Sequence, residues 1–438
     1  MNLKIQKPNR RIYLDYASLT PIDPRVLKVV NKYSGTEYAN PSSWYKEGVS
    51  AKKAMDEARK SIADSIRAHA DEIIFTSGGT EANNLALMGV LKAVKKGGHI
   101  IISSIEHSSI MEVANELEKL GVEVTRIGVD KNGVVLLDEI KKAIKSETFL
   151  ISIMTVNNET GAVQPIRKIA KIIRQARVKF GNAKKGGTES SASIYPLFHT
   201  DAAQAVLYEN LNMEQLGVDM MTLDAGKIYG PRGIGALYVK RSLNALLQPI
   251  IFGGGQERGL RSGTENLPAI MGFAKAVEIA VDEREKEFGR ICELRSYFAS
   301  ELKKMIPTLV INSDSAPAGH VTSEKVDITL CDLDNLSKAH TSSVPSVVHQ
   351  NINAPHILNV SIPSIDNEFL LFQLDAAGIA CSTKSSCLRD DNESYVLKAM
   401  GRDSKTALRF SLGRWTKKAD IKRALRVLSY SVTISPTC

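Results

Sequence analysis

Aromatic side chains make up only 6% of the 438 residues, tryptophan occurs twice and cysteine five times. Long hydrophobic runs are missing. The most extended, Phe149 to Val156, is broken by Ser152 and Thr155 and falls far short of the ~20 residues a membrane-spanning helix needs. The chain therefore has no membrane partner of that kind. Cys292, Cys331, Cys381, Cys387 and Cys438 are odd in number and scattered. That excludes a disulfide framework and reads as reduced thiols in a cytoplasm. Neither charge dominates: 57 Lys+Arg against 48 Asp+Glu leave +9, with no basic stripe interleaved with aromatics, so direct nucleic-acid binding has no support. The first residues, MNLKIQKPNRR, are basic but lack the ~7–15-residue apolar region of a secretory signal; a short organelle-targeting arm is compatible with them. What is present is an ordinary 43% of apolar residues in a chain long enough for two or three domains at ~150 residues each. Such a chain buries a real core without staples.

From Lys46 to about residue 240, amphipathic stretches alternate with short Ile/Val-rich runs. A helical period over 46–67 precedes the run EIIFTS (72–77), a helix opens at Thr80-Glu81, and HIIIS (99–103) leads to a helix from Ser108 to about Leu120. VEVTRIGV, TFLISIMTV, IYPLFHT, VDMMTLDA and IGALYVK continue as strand candidates. Apolar runs without strict polar alternation suit parallel strands covered on both faces. The alternation predicts an α/β fold: a large domain with a mainly parallel sheet flanked by helices. Beyond the glycines at 253–255, a continuous helical pattern over about 265–305 leads into a smaller C-terminal α+β domain. Two segments, 181–193 and 313–355, read as insertions.

Five constellations could carry chemistry. Ser77-Gly78-Gly79-Thr80 stands between a strand and a helix, where two glycines and a helix N-terminus can approach an anion. Phe198-His199-Thr200-Asp201 ends an apolar strand in a carboxylate, and a buried carboxylate needs a cationic partner. Lys227 follows a strand and enters a glycine-punctuated loop; a desolvated lysine there is a competent amine nucleophile. Cys387 lies between Lys384 and Arg389, cations that favour its thiolate. His107 follows the 99–103 run and could stack on a flat ring or move protons. No metal is expected, because Cys381 and Cys387 lack a second pair or a His at ligand spacing. Each motif alone has a plainer reading as a turn, a solvated charge or a packed side chain.

Together and in order, these blocks resemble the cysteine desulfurases of the class V aminotransferase group, which are fold type I enzymes dependent on pyridoxal 5'-phosphate. The resemblance runs from Tyr13-Leu14-Asp15-Tyr16-Ala17 to Leu408-Arg409-Phe410-Ser411. It passes through Asn40-Pro41-Ser42-Ser43, Val156-Asn157-Asn158-Glu159-Thr160-Gly161, Gln164-Pro165-Ile166 and the block at 253–266. It implies that Lys227 carries the cofactor through its amine, that Asp201 pairs with the ring nitrogen, and that His107 stacks on the ring and moves protons. It further implies that Gln204 binds the ring hydroxyl, that Asn158 lies close to ring and substrate, and that Gly79 and Thr80 hold the phosphate. Thr264 would reach a neighbouring subunit's phosphate in a homodimer. Arg409 would grip the substrate carboxylate, and Cys387 would take the sulfur of L-cysteine as a persulfide, release L-alanine and hand sulfur to an acceptor protein for iron–sulfur assembly or tRNA thiolation. The resemblance also implies a large cofactor-binding domain over 13–262 and a small one over 263–438, joined by residues 1–20.

The chain departs from the family pattern in places. Relatives carry Ser-x-His-Lys where this sequence has Asp224-Ala225-Gly226-Lys227, so an anion stands where two phosphate donors belong. Asp224 is expected to point elsewhere, to pair with a cation, or to weaken cofactor binding. Lys384 replaces a loop glycine and should stiffen the loop and acidify Cys387, and Tyr45 stands where His is common. Two other readings stay open at this stage: a selenocysteine lyase or another class V lyase or aminotransferase, and a degenerate scaffold that has lost catalysis.

Overall fold

The computed structural model describes residues 11–94, 97–184, 194–243, 245–313, 353–384 and 393–434. The short β1 (Ile12–Tyr13) is followed by α1 (Pro24–Gly35) and α2 (Lys46–Ser65). Strands and helices then alternate: β2 (Ile73–Thr76), α3 (Gly79–Leu91), β3 (His99–Ser103), α4 (Ser108–Lys119), β4 (Glu123–Ile127), α5 (Leu137–Ala143), β5 (Thr148–Ser152), α6 (Ile166–Lys184), β6 (Leu197–Asp201), α7 (Met213–Leu216), β7 (Met220–Asp224) and β8 (Gly235–Val239). The long α8 (Leu267–Met305) leads to β9 (Val310–Ile311), β10 (Ile357–Ser361), α9 (Asn367–Ala376), β11 (Ile379–Ala380), α10 (Tyr395–Ala399), β12 (Ala407–Ser411) and α11 (Lys418–Ile434).

Seven strands form one sheet in the order β2-β8-β7-β6-β5-β3-β4. β8 runs antiparallel to β2 and β7, and the other pairings are parallel. β2, β3, β5, β6 and β8 are buried along their whole length, as strands covered by helices on both faces must be. Successive residues serve opposite faces: Ile101, Ile151, Phe198 and Met221 join one core, while Ile100, Leu150, Leu197 and Met220 join the other. The direction of β8 is invisible in an apolar run, and its first residue shows what that direction requires. A Cβ on Gly235 would lie 2.6 Å from the Leu223 carbonyl oxygen and 2.8 Å from Gly78 Cα. Glycine at 235 thus lets the turn after β2 settle against the end of β7.

Beyond this sheet, β12, β10 and β9 form a small antiparallel sheet, and β1 pairs in parallel with β11. They share a separate core with α9 and α11 in which Leu14, Phe298, Leu374, Phe410 and Leu428 are buried. The α8 helix serves both regions. Its 39 residues extend ~58 Å at 1.5 Å per residue; buried side chains up to Ala280 belong to the large sheet's core and those from Ile291 onward to the small one's. Of the expected insertions, 185–193 and 314–352 lie outside the described residues. Asn353 donates its side-chain amide to the Ser313 carbonyl, so the flanks of the second segment meet. Among the described residues no helix is long and apolar enough to cross a membrane.

Candidate active site

The carboxyl ends of the parallel strands gather the predicted constellations on one edge. β2 leads into Ser77-Gly78-Gly79 and α3, β3 into Glu106-His107 and α4, and β5 towards Asn157-Asn158. β6 ends at Asp201, and β7 ends at Asp224 and a short 3-10 turn, Ala225–Lys227. In open α/β sheets this edge is where ligands bind. The pairing of β6 with β7 puts Asp201 opposite Thr222, so the carboxylate and the lysine turn stand on neighbouring strands.

Asp201 is 7% exposed. Its Oδ2 accepts from Asn83 Nδ2 at 2.8 Å and its Oδ1 from the Ala203 N–H at 2.9 Å. Both partners are neutral, and among the described residues no ion pair compensates it. The same Asn83 amide donates to Ser109 Oγ at 2.8 Å. Ser109 then meets His107 Nδ1 twice, with its hydroxyl at 2.9 Å and its N–H at 3.2 Å. Because the N–H donates to Nδ1, that nitrogen accepts and the ring proton sits on Nε2. A continuous chain Asp201–Asn83–Ser109–His107 results, with His107 itself capping α4. Asn83 is buried; in the sequence an Asn inside a helix carries no signal beyond its spacing from Thr80.

Lys227 is half-buried, donates to the Ser18 carbonyl at 2.6 Å and lies 3.3 Å from the Ala17 carbonyl. Gln204 Nε2 donates to the same Ala17 carbonyl at 2.8 Å. Its Oε1 accepts from His356 Nε2 at 3.2 Å, and the His356 ring stacks on Tyr208 at 4.7 Å. Burial pushes the His356 imidazole down to about 3, so it stays neutral. The Tyr16–Ser18 segment and His356 were not read as site residues, and both hold ones that were.

Arg409, in β12, is 1% exposed. Its Nη2 donates to Asp15 Oδ1 at 2.9 Å and to Ser18 Oγ at 2.7 Å, and its Nη1 to the Asn158 carbonyl at 2.8 Å. The fork expected to grip a substrate carboxylate thus already holds an internal one, and Asn158 contributes its backbone to that contact. Glu106 adds an unforeseen group. Burial pushes its carboxyl up to about 8, against hydrogen bonds from the Ser103 hydroxyl and the Met154 N–H.

Gly79 opens α3 and Thr80 is exposed on its first turn, while Thr264 is exposed in the loop before α8. Asp224 does not point away, and among the described residues it meets no cation. Its Oδ2 accepts from the Gly79 N–H at 3.0 Å and its Oδ1 from the Gly226 N–H at 2.8 Å. Cys387 lies outside the described residues, but both flanks of its segment are tied to the site. Ser382 exchanges backbone hydrogen bonds with Arg409 at 3.1 and 2.6 Å, and Ser394 Oγ donates to Glu159 Oε2 at 2.6 Å, next to Asn158. Burial raises the Cys381 thiol well above its ordinary value, so it stays protonated.

The donor set suits pyridoxal phosphate at its ring end. A nearly buried carboxylate with only neutral partners calls for a cation; a protonated pyridine nitrogen is one, and Lys227 in the turn after the next strand offers the amine.

A family model described as aminotransferase class-V matches residues 12–181 and 192–329. The chain is 37% identical over 436 residues to the cysteine desulfurase IscS of Dictyoglomus turgidum, covering 98% of this chain and 97% of that protein. It is 39% identical over 420 residues to the mitosomal cysteine desulfurase of Encephalitozoon cuniculi, covering 94% and 84%. Among solved structures, a NifS-like protein superposes with a TM-score of 0.78 at 31% identity, covering 97% of this chain and 99% of that one.

Proposed function

Since the chain belongs to the class V aminotransferase family, we propose that it is a cysteine desulfurase, taking sulfur from L-cysteine, releasing L-alanine and passing the sulfur to an acceptor protein for iron–sulfur assembly or tRNA thiolation. The observation that carries this reading is the uncompensated Asp201 carboxylate on the strand beside Lys227. Pyridoxal phosphate, when bound, supplies an electron sink that stabilises charge at the substrate Cα and Cβ and so loosens the C–S bond.

The chain's own residues do the rest. Lys227 would hold the group through its amine, and the same amine would serve to move a proton at the substrate Cα. Asp201 keeps the ring nitrogen charged, and its orientation is fixed by Asn83 and the Ala203 N–H. Because Ser109 occupies Nδ1, His107 would offer Nε2–H to the ring. Gln204, held between Ala17 and His356, would offer its second amide N–H to the ring hydroxyl. Arg409 receives the substrate carboxylate by exchanging Asp15 or Ser18 for it. The Cys387 thiolate then attacks the substrate sulfur: an S–S bond forms, the C–S bond breaks, and a proton takes the vacated place on carbon. The flanks of its segment are tied to Arg409 and Glu159 beside the site.

A homodimer belongs to the same reading, with Thr264 facing the second copy's phosphate. So do a cytoplasmic location and a division of the chain at 262/263 into a larger and a smaller unit. Purified protein given L-cysteine and a thiol reductant is expected to release alanine and sulfide in equal amounts. Cys387→Ser should take up cofactor normally and lose at least ~100-fold in sulfide release. Unchanged turnover in that variant removes the thiol from the reaction; no visible absorbance from added cofactor in the wild type removes the enzyme.

A further inference from the structure

The start of α3 is an anion seat by construction. Its first N–H groups have no intrahelical acceptors and sit at the positive end of the helix. In this chain one of them is already taken. Asp224, at the end of β7, puts Oδ2 3.0 Å from the Gly79 N–H and Oδ1 2.8 Å from the Gly226 N–H. One carboxylate therefore bridges the glycine turn before α3 and the turn that carries Lys227. Glycines make the room: a Cβ on Gly79 would sit 3.2 Å from Oδ2, and one on Gly226 would sit 3.1 Å from Oδ1. The bridge joins positions 145 residues apart, so it is a feature of how the two strand ends meet.

We propose that Asp224 is a specificity-determining residue for the cofactor's 5' end: its carboxylate stands in for the phosphate at the start of α3, so a phosphate dianion binds only by displacing it. The proposal rests on the cofactor reading given above. A phosphate must break two charge-assisted hydrogen bonds and then share the turn with the displaced carboxylate, whereas the uncharged hydroxymethyl of pyridoxal can donate to Asp224 where it stands. The chain consequently gains little from the phosphate, holds its cofactor mainly through Lys227 and the ring contacts, and discriminates weakly between the phosphorylated and free aldehydes.

The test is equilibrium binding to cofactor-stripped full-length protein, read as absorbance change on adding pyridoxal phosphate or pyridoxal. Wild type is compared with Asp224→Ser and with Asp224→Asn, which keeps one acceptor oxygen but removes the charge. Both substitutions are expected to tighten pyridoxal phosphate at least tenfold and to move pyridoxal less than threefold. In parallel, millimolar inorganic phosphate should raise the melting temperature of the variants and leave that of the wild type unmoved. Equal pyridoxal phosphate affinity in all three proteins, or equal tightening of both aldehydes, overturns the proposal. Should no protein bind either aldehyde, the cofactor reading fails by itself, and the inorganic phosphate arm still decides on Asp224: stabilisation confined to the variants supports it, and none, or the same in all, overturns it.

Discussion

Asn83 shows how much a single buried amide can hold. Its two N–H bonds reach Asp201 and Ser109, and through Ser109 they fix His107. Removing it leaves the carboxylate one hydrogen bond short and the histidine support slack. Loss of a hydrogen bond to a charged group costs ~1.5–3 kcal/mol, which is tenfold or more in rate. Asn83→Ala is therefore expected to lower kcat for alanine formation about tenfold or more while cofactor content, followed by absorbance, stays near normal. Asn83→Asp, which sets a second carboxylate beside Asp201, should be worse than alanine. Equal kcat in all three proteins would make Asn83 a packing residue only. At the same scale, Asp15 and Asp224 do related things: each is an internal carboxylate seated on a donor at the site, one on Arg409 and the other on Gly79.

Among the elements, the loop from Gly253 to Ser262 is held at Glu257 by a buried ion pair. Arg59, on α2, makes two 2.6 Å hydrogen bonds to Glu257, and Glu257 Oε2 also accepts from the Phe75 N–H at 2.9 Å. Both side chains are nearly buried. The pair therefore bolts the loop to β2 and α2, and Glu257 and Arg258 adopt positive φ of 48° and 60° to do so. Removing one member leaves a buried unpaired charge, a loss of ~3–5 kcal/mol. Glu257→Gln is expected to destabilise the protein by about that amount in urea unfolding, and adding Arg59→Met should recover most of it. A double variant as unstable as the sum of the singles would show that the charges are not coupled. Further along the same loop Arg261 grips Glu81, and although burial opposes it, that pair and the Ser77 N–H hold the Glu81 carboxyl below its ordinary value.

Across the whole molecule, the buried His199, His356 and Glu106 and the half-buried Glu209 contribute opposing responses to pH. Burial pushes His199 and His356 down to about 3 from 6.5. The stability they contribute is complete above pH 6.5 and is lost as pH falls towards 3. Burial pushes Glu106 up to about 8 and Glu209 up to about 7 from 4.5. Their contribution is complete below pH 4.5 and is lost as pH rises through 7 to 8. Each group acts with ~1.4 kcal/mol per pH unit inside its window, so the opposing pairs nearly cancel between pH 4.5 and 6.5 and stability falls on either side. Calorimetry should find the melting temperature highest in that window. Glu106→Gln should flatten the decline between pH 6.5 and 8; an unaltered decline would place its cause elsewhere.

The local sequence determined the alternation of elements, the buried runs of β3 and β5 and the glycine turn before α3, and it marked Lys227, Asp201 and His107 as candidate chemistry-bearing groups, whereas Gln204 and Arg409 stood out only through the resemblance of the ordered blocks to a family. Burial on two faces, a helix start and an amine beside glycines all leave marks within a few residues of themselves. Tertiary structure alone decided the direction of β8, because a fully apolar strand reads the same either way. It also decided the partners: Asp15 for Arg409 at a separation of 394 residues, His356 for Gln204 at 152 and Asp224 for Gly79 at 145. No periodicity encodes such pairs. They exist because the carboxyl ends of distant strands, and the small sheet packed beside them, close on the same few ångströms.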